Sequence, residues 1–229
     1  MKKFDQELAT LKQRVVDMGE LAESMVTRAT RLLSNPHQEQ LQQEVREREE
    51  RLDQMQLDID HEAIRLLTIY GPVAGNLRFI MSVSRITAEL ERMGDHAVNM
   101  CETVRLMVSK AETVLFSEVR NMARAVGGMV HDALAAFHQE DSKLAQTTMA
   151  VDDLVDALND EILRELLSDE IVREALTGPA DIASALGQML IARSLERIAD
   201  QATNVCEEIV YMVKGADIRH QDPEPGLAH

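Results

Sequence analysis

Apolar residues recur at intervals of three and four along almost the whole chain, a spacing typical of amphipathic α-helices. Breaks rich in proline, glycine and small polar residues divide this pattern. In the first half they predict three helices, from about residue 4 to 34, from Pro36 to 70, and from 74 to 109. The Tyr70-Gly71-Pro72 break separates the second helix from the third.

The second half of the chain predicts three more helices. The fourth covers about residues 113–138, and the fifth runs unbroken from a polar turn, with Ser142 as its N-cap, to the region of residues 167–169. A short extra turn follows the fifth helix. The sixth begins after a Gly-Pro break and ends near Gly215, which is well placed just beyond a helix C-terminus.

Three helices followed by three more suggest a repeat, and one segment establishes it. LERMGDHAVNMCE (90–102) aligns without a gap on LERIADQATNVCE (195–207), with eight of thirteen positions identical. We therefore predict an all-α fold made of two tandem three-helix bundles related by internal duplication, as in spectrin-like repeats. The predicted units are residues 1–110 and 111–216, followed by a flexible tail at 217–229.

The duplicated segment carries a row of polar residues at the edge of its apolar arc. Residues four apart share one face of a helix, so each copy presents a Glu, an Asp and an Asn in line. The two rows are Glu91, Asp95 and Asn99 in the third helix, and Glu196, Asp200 and Asn204 in the sixth.

The second helix of each three-helix unit also carries two acids four residues apart. These pairs are Glu49 with Asp53 and Asp152 with Asp156. Acids held near an apolar face are costly unless they are paired or bind a cation. Two neighbouring rows could supply four carboxylates and an amide oxygen to one site. Such ligands suit Mg, Mn, Ca or iron, whereas two cysteines are too few for a sulfur-rich zinc site.

The same rows also allow a simpler interpretation. Acids four residues apart on a helix are often solvated surface, and Arg92 or Arg197 could pair with some of them. The protein would then be a metal-independent structural adaptor. A carboxylate-bridged di-metal enzyme is a third possibility, but such sites use Glu-x-x-His pairs, and the chain contains none. We predict that the protein is not an enzyme.

Composition limits the kinds of partner that the protein can bind and indicates its compartment in the cell. The net charge of −16 argues against nucleic acid and against electrostatic docking on anionic lipid. No apolar signal core follows Lys2 and Lys3, and no apolar run is long enough to span a bilayer. With only Cys101 and Cys206, no disulfide framework is implied. We therefore expect a cytoplasmic protein.

Other candidate residues have structural interpretations. Cys101 and Cys206 fall inside the apolar arcs, which predicts small buried core residues. Gly127-Gly128, inside the fourth helix, predicts a close approach between helices rather than a phosphate-binding loop. His96 corresponds to Gln201 in the second repeat, which argues against a shared ligand role.

The two LER[MI]-x-D-x-A-x-N-x-C-E segments resemble the PhoU family of phosphate-specific transport system accessory proteins. The similarity extends to VVDMGELAESMV, to GPVAGNLRFIMSVSRITAE and to the VKG-x-D-x-RH ending, so it covers nearly the whole chain. The resemblance implies two three-helix bundles related by a pseudo-twofold axis.

The resemblance also implies chemistry and partners. Family members carry Glu/Asp-x-x-x-Asp motifs that bind multinuclear clusters of iron or zinc, or of magnesium or manganese. By position, the implied ligands are the four acid pairs named above, with Asn99 and Asn204 at the following polar positions. The implied role is negative regulation of phosphate uptake and of the phosphate regulon. The implied partners are the ATPase subunit of the phosphate ABC transporter, the phosphate sensor histidine kinase and a second copy of the chain.

Overall fold

Seven α-helices and no strand make up the residues described by the computed structural model, which are 2–108, 115–168 and 179–219. The helices are α1 (Lys2–Ser34), α2 (Glu39–Tyr70), α3 (Ala74–Val108), α4 (Ser117–Gln139), α5 (Ser142–Met149), α6 (Asp152–Leu166) and α7 (Pro179–Lys214). The predicted all-α fold is therefore confirmed. Among these helices, none is both long and apolar enough to cross a bilayer.

The first three helices pack against one another around the apolar stripe of α1. Leu11, Val15 and Met18 are fully buried, and the stripe continues at the same helical spacing to Leu32. Gly71 ends α2 in the left-handed conformation (φ 52°), where its N–H donates to the Leu67 carbonyl oxygen. Pro72 follows it, so the chain leaves α2 as the sequence predicts.

The second bundle consists of α4, α5, α6 and α7, and here the prediction of one continuous fifth helix is wrong. The helix breaks at Ala150 and Val151. The Thr147 and Thr148 hydroxyls both donate to the Leu144 carbonyl oxygen at 2.9 Å. At the break, the Val151 N–H donates to the Thr148 carbonyl oxygen at 3.0 Å, three residues back rather than the four of an α-helix.

The cap of α5 also differs from the prediction. The Asp141 carboxylate, not the Ser142 hydroxyl, accepts the N–H groups of Lys143 and Leu144, at 2.8 and 3.1 Å. A carboxylate can accept both bonds and carries a charge that suits a helix N-terminus. The short turn predicted after the fifth helix, and the predicted start of the fourth at residue 113, lie outside the described residues.

The two bundles join chiefly along α3 and α7, which pack together more extensively than any other helix pair described. The helices run antiparallel, because Arg85 near the start of α3 contacts Glu208 near the end of α7, whereas Gly187 near the start of α7 lies against Met107. The Glu208 carboxylate is buried and is also bonded by the Ser82 hydroxyl. A buried carboxylate needs such partners to remain charged.

The predicted tail begins with residues that return to this junction. Arg219 donates to Glu208 at 2.9 Å and to Asp217, and its guanidinium lies 5.5 Å from the centre of the Tyr211 ring. The remainder of the tail, from residue 220, lies outside the described residues. The proposed unit boundaries at 110 and 216 stay predictions.

The contact between α2 and α3 is close at Gly94, which lies in the row segment between Glu91 and Asp95. A Cβ atom at Gly94 would lie 2.4 Å from Leu52 Cδ2 and 3.2 Å from Met25 Cε. We expect Gly94→Leu to lower the free energy of unfolding by about 2 kcal/mol, since overpacking outweighs the gain in helix propensity. Urea unfolding monitored by circular dichroism measures the difference.

A matched control is available in α4. A Cβ atom at Gly128 meets nothing within 4 Å, so Gly128→Leu should raise the free energy of unfolding by up to about 1 kcal/mol. A Gly94→Leu protein as stable as the Gly128→Leu protein would contradict the close contact between α2 and α3.

Candidate metal centres

Packing of α2 against α3 brings the four predicted acids of the first repeat together. Burial is the main cause that raises the pKa values of Glu49, Glu91 and Asp95. Repulsion between carboxylates is the next cause: Asp95 and Asp53 raise the pKa of both glutamates, and Asp53 raises the pKa of Asp95. Carboxylates repel one another in this way only when they lie close together. Residues from two helices therefore form one acidic cluster, which we call the first acid cluster.

The second acid cluster forms in the same way from α6 and α7. Burial, followed by repulsion from Asp156 and Asp200, raises the pKa of Asp152 to about 6. Burial also raises the pKa of Asp200, where Asp156 adds repulsion and Arg197 opposes it. Glu196 contributes a smaller repulsion to Asp152. The structure thus brings together all four acids predicted in the second repeat.

The two clusters match in exposure as well as in sequence. In both repeats the first acid of the second helix is half-buried and the next acid, one turn later, is exposed. The Glu and Asp of the duplicated segment are half-buried in both repeats, and the Asn is exposed. The matched positions are Glu49 with Asp152, Asp53 with Asp156, Glu91 with Glu196, Asp95 with Asp200, and Asn99 with Asn204.

The two asparagines point to other neighbours. Asn204 donates to Glu89 of α3 at 3.3 Å, across the junction between the bundles. Asn99 lines a groove between α3 and α7 with His96 and Arg193. The Asn204 amide therefore contacts the junction rather than the acids of its own row, and the role of both asparagines as metal ligands stays a prediction.

Arginines neutralise the acid clusters only in part. Arg197 donates to Asp200 at 3.2 Å, as the simpler interpretation of the sequence allowed. Arg92 instead pairs with Glu89, and Arg46 pairs with Glu102. Most carboxylates of the clusters therefore lack a cationic side chain within ion-pair distance in the described parts of the chain, which is the environment that a bound cation would stabilise.

The donor set fits a hard or borderline cation, because it consists of carboxylate oxygens. Over the described ranges, however, no three His, Cys, Asp or Glu side chains are already arranged as a ligand set. Cation binding would thus require side chains to rotate. The cysteines play no part: Cys101 and Cys206 are buried, as predicted, and burial raises the pKa of each thiol to about 12.

Sequence reasoning missed one polar residue of the second acid cluster. Asn159 of α6 donates to Glu196 Oε2 at 3.2 Å. It lies seven residues after Asp152 and three after Asp156, so the same helical spacing that selected the acids also places it on their face. Searching that face for amides as well as acids would have found it.

We expect Asp152→Asn to stabilise the metal-free protein at pH 7.5. Because the folded pKa of about 6 lies above the usual value near 4, the charged form of Asp152 costs stability above pH 6 and the cost disappears below about pH 4. The pKa shift corresponds to at most ~3 kcal/mol, and solvent screening of this half-exposed group reduces it to about 1 kcal/mol. Urea unfolding in EDTA, repeated from pH 4 to 7.5, measures it.

Asp153→Asn is the control for this substitution. Asp153 is exposed and also lies in the first turn of α6, so its replacement removes the same charge from the same helix end. If Asp152→Asn were no more stable than Asp153→Asn at pH 7.5, the crowding of carboxylates in the second acid cluster would be contradicted.

Comparison with known proteins agrees with these features along the chain. The PhoU domain model matches residues 15–104 and again 119–209. The chain is 35% identical over 218 residues to the phosphate-specific transport system accessory protein PhoU homolog of Pseudomonas putida, covering 95% of this chain and 83% of that protein. It is 33% identical over 217 residues to PhoU of Escherichia coli K12, covering 95% and 88%.

Solved structures agree with the fold. The crystal structure of PhoU from Pseudomonas aeruginosa matches with a TM-score of 0.86 at 34% identity, over 93% of this chain and 100% of that chain. The phosphate transport system regulatory protein PhoU from Streptococcus pneumoniae matches with a TM-score of 0.83 at 25% identity, over 94% and 99%. The duplicated helical repeat and these full-length similarities show that the chain belongs to the PhoU family.

Proposed function

We propose that this protein is a negative regulator of phosphate uptake and of the phosphate regulon, acting by protein–protein contact. The observation that carries the proposal is similarity to PhoU proteins along both repeats. Relatives are named as accessory or regulatory proteins of the phosphate transport system. The proposed partners are the ATPase subunit of the phosphate ABC transporter and the phosphate sensor histidine kinase, both reached at the cytoplasmic side of the membrane.

The physical character of the protein supports a contact role. Long helices and a continuous junction between the bundles give two stiff surfaces, and a net charge of −16 favours basic partner surfaces. The cysteine thiols are buried and held protonated, so they offer no nucleophile. We further propose that the protein acts as a homodimer and associates with the membrane only through its partners.

The acid clusters give this proposal a second part, in which metal binding stabilises the shape of the surfaces that contact the partners. Glu49, Asp53, Glu91 and Asp95 would hold one cation site, and the matched acids of α6 and α7 would hold the other. A bound iron, zinc, manganese or magnesium ion supplies positive charge that removes the repulsion between carboxylates. The acids themselves then tie α2 to α3, and α6 to α7, so that each surface keeps one shape.

A metal-independent structural adaptor is the second candidate. The observation that favours it is that the described acid side chains are not arranged as a ligand set. In that case the clusters are solvated faces that contact basic partner surfaces directly. The two candidates share the regulatory role and differ only in whether metal is needed.

The regulatory role can be tested in a bacterial strain whose own PhoU gene is deleted. Alkaline phosphatase activity should be high in this strain in phosphate-rich medium, and expression of the present chain should restore it to the low level of the parent strain. Failure of the correctly folded chain to lower the activity would contradict the proposed role.

Metal binding is tested with the double variant Glu196→Gln, Asp200→Asn. We expect it to lose about half of the metal bound by the wild type after equilibrium dialysis and mass-spectrometric metal analysis, because one of two matched sites is disabled. Asp160→Asn with Glu161→Gln is the control, since both residues are exposed on α6 and removal of their charge leaves the second acid cluster intact.

The same variants separate the two candidates in the alkaline phosphatase assay. Loss of both metal and repression in the Glu196→Gln, Asp200→Asn protein supports metal-dependent regulation. Loss of metal with full repression supports the adaptor. Metal content equal to that of the wild type would show that these two residues are not ligands.

A further inference from the structure

A cavity of about 380 Å³ lies between the end of α1 and the first half of α4, far along the chain from the acid clusters. Three arginines line it: Arg31 from α1, and Arg120 and Arg124 from α4. Within the described parts of the chain, its charged lining residues are all cationic. The protein has 40 acidic residues and only 24 Lys and Arg, so the charge of this cavity is opposite to that of the whole chain.

The three arginines have no acidic partner among the described residues. Arg120 donates to the Leu115 carbonyl oxygen at 2.7 Å, and Arg124 donates to the Asn121 side chain at 2.6 Å. These bonds to neutral groups hold the guanidiniums of Arg120 and Arg124 while leaving their other N–H groups available. Several other described arginines form ion pairs with carboxylates instead, as Arg28 does with Glu44.

A cavity at the other end of the α1–α4 contact shows the contrast. That cavity is lined by Lys12, Arg78 and Glu140. Lys12 Nζ lies 2.6 Å from Glu140 Oε1, so this lysine has an acidic partner within its cavity. Among the described residues, no acid lines the arginine-lined cavity in the same way, so its guanidiniums can accept an anion from solution.

Neutral groups at the cavity complete the recognition of an oxyanion. Ser34 and Asn35 line it and provide hydroxyl and amide donors. At the end of α1, the Arg31 and Leu32 carbonyl oxygens accept the Asn35 N–H. Guanidinium forks with hydroxyl and amide donors are the groups that bind phosphate in proteins.

Gly127 keeps the cavity open. It lines the wall formed by α4, and a Cβ atom placed there would meet nothing within 4 Å. The prediction that Gly127-Gly128 marks a close approach between helices is therefore wrong. Any longer side chain at Gly127 would occupy the space in front of the arginines. Leu33 and Ala123, both nearly buried, form an apolar part of the same wall.

We propose that this cavity, the arginine cavity, binds a phosphate group, either as inorganic phosphate or as the phosphate of a small organic monoester. Its volume exceeds that of one phosphate ion and falls in the range of small-molecule sites. Because α1 belongs to the first bundle and α4 to the second, a bound phosphate group contacts both bundles. Phosphate binding by this cavity does not depend on the proposed regulatory role. Only the use of the bound phosphate as a signal of phosphate supply rests on the proposed function.

Isothermal titration calorimetry of the full chain tests the proposal, with inorganic phosphate and adenosine monophosphate as probes and adenosine as the control. The protein is first dialysed against EDTA, so that cations on the acid clusters cannot hold phosphate. We expect saturable binding of at least one phosphate probe, weakened by salt, and no binding of adenosine. Equal affinity for both probes identifies the phosphate group as the ligand, and tighter binding of the monoester identifies an organic phosphate.

Two substitutions assign the binding to the arginine cavity. Gly127→Leu fills the cavity, and Arg120→Gln with Arg124→Gln removes two charged donors; each should weaken binding about tenfold or more. Gly128→Leu is the matched control, because Gly128 also has open space around it but does not line the cavity. Its affinity should equal that of the wild type, and both leucine variants should unfold at higher urea concentrations than the wild type.

Three results would overturn the proposal. They are the absence of binding by either phosphate probe, binding of adenosine as tight as that of its monophosphate, and phosphate binding by the Gly127→Leu protein as tight as by the Gly128→Leu protein. Failure here together with normal repression of alkaline phosphatase would leave the regulatory role standing. Normal phosphate binding without repression of alkaline phosphatase would contradict the regulatory role and leave the phosphate site standing.

Discussion

The antiparallel packing of α3 against α7 is the constraint on which the rest of the structure depends. Each of these helices contributes to the core of its own bundle and to the contact between bundles, so apolar residues occupy more than one face. The acid rows are thereby confined to the remaining edge of each helix. Because the two helices carry the duplicated segment, the constraint acts in both bundles and yields the same exposure at matched positions.

Charge in this protein is compensated very unevenly. The buried Glu208 carboxylate has Arg85, Arg219 and Ser82 as partners, which offsets the cost of its burial and ties the residues just after α7 to α3. Among the described residues, the acid clusters carry carboxylates with few cationic partners, and the arginine cavity carries guanidiniums with no acidic ones. A ligand of opposite charge that binds the folded protein at either place would stabilise it.

The fold could be predicted from the chain because its signals are local. Three- and four-residue periodicity, the Gly-Pro breaks and the repeated thirteen-residue segment indicate helices and their duplication without reference to distant residues. The break at residues 150–151 escaped prediction, since no Gly or Pro marks it and Thr147, Thr148 and Ala150 are all compatible with a helix. The cap at Asp141 was missed because Asp and Ser are similarly good N-caps.

Sequence alone determined that the chain is helical, duplicated and similar to PhoU proteins, and it selected the eight acids, because each of these follows from spacing along single helices. Only the tertiary structure decided which acids meet, that Asn204 contacts Glu89, and that Asn159 belongs with Glu196. It also decided that Gly127 faces a cavity rather than a neighbouring helix. Spacing reports the face of a helix on which a residue lies, whereas what that face meets depends on how distant helices pack.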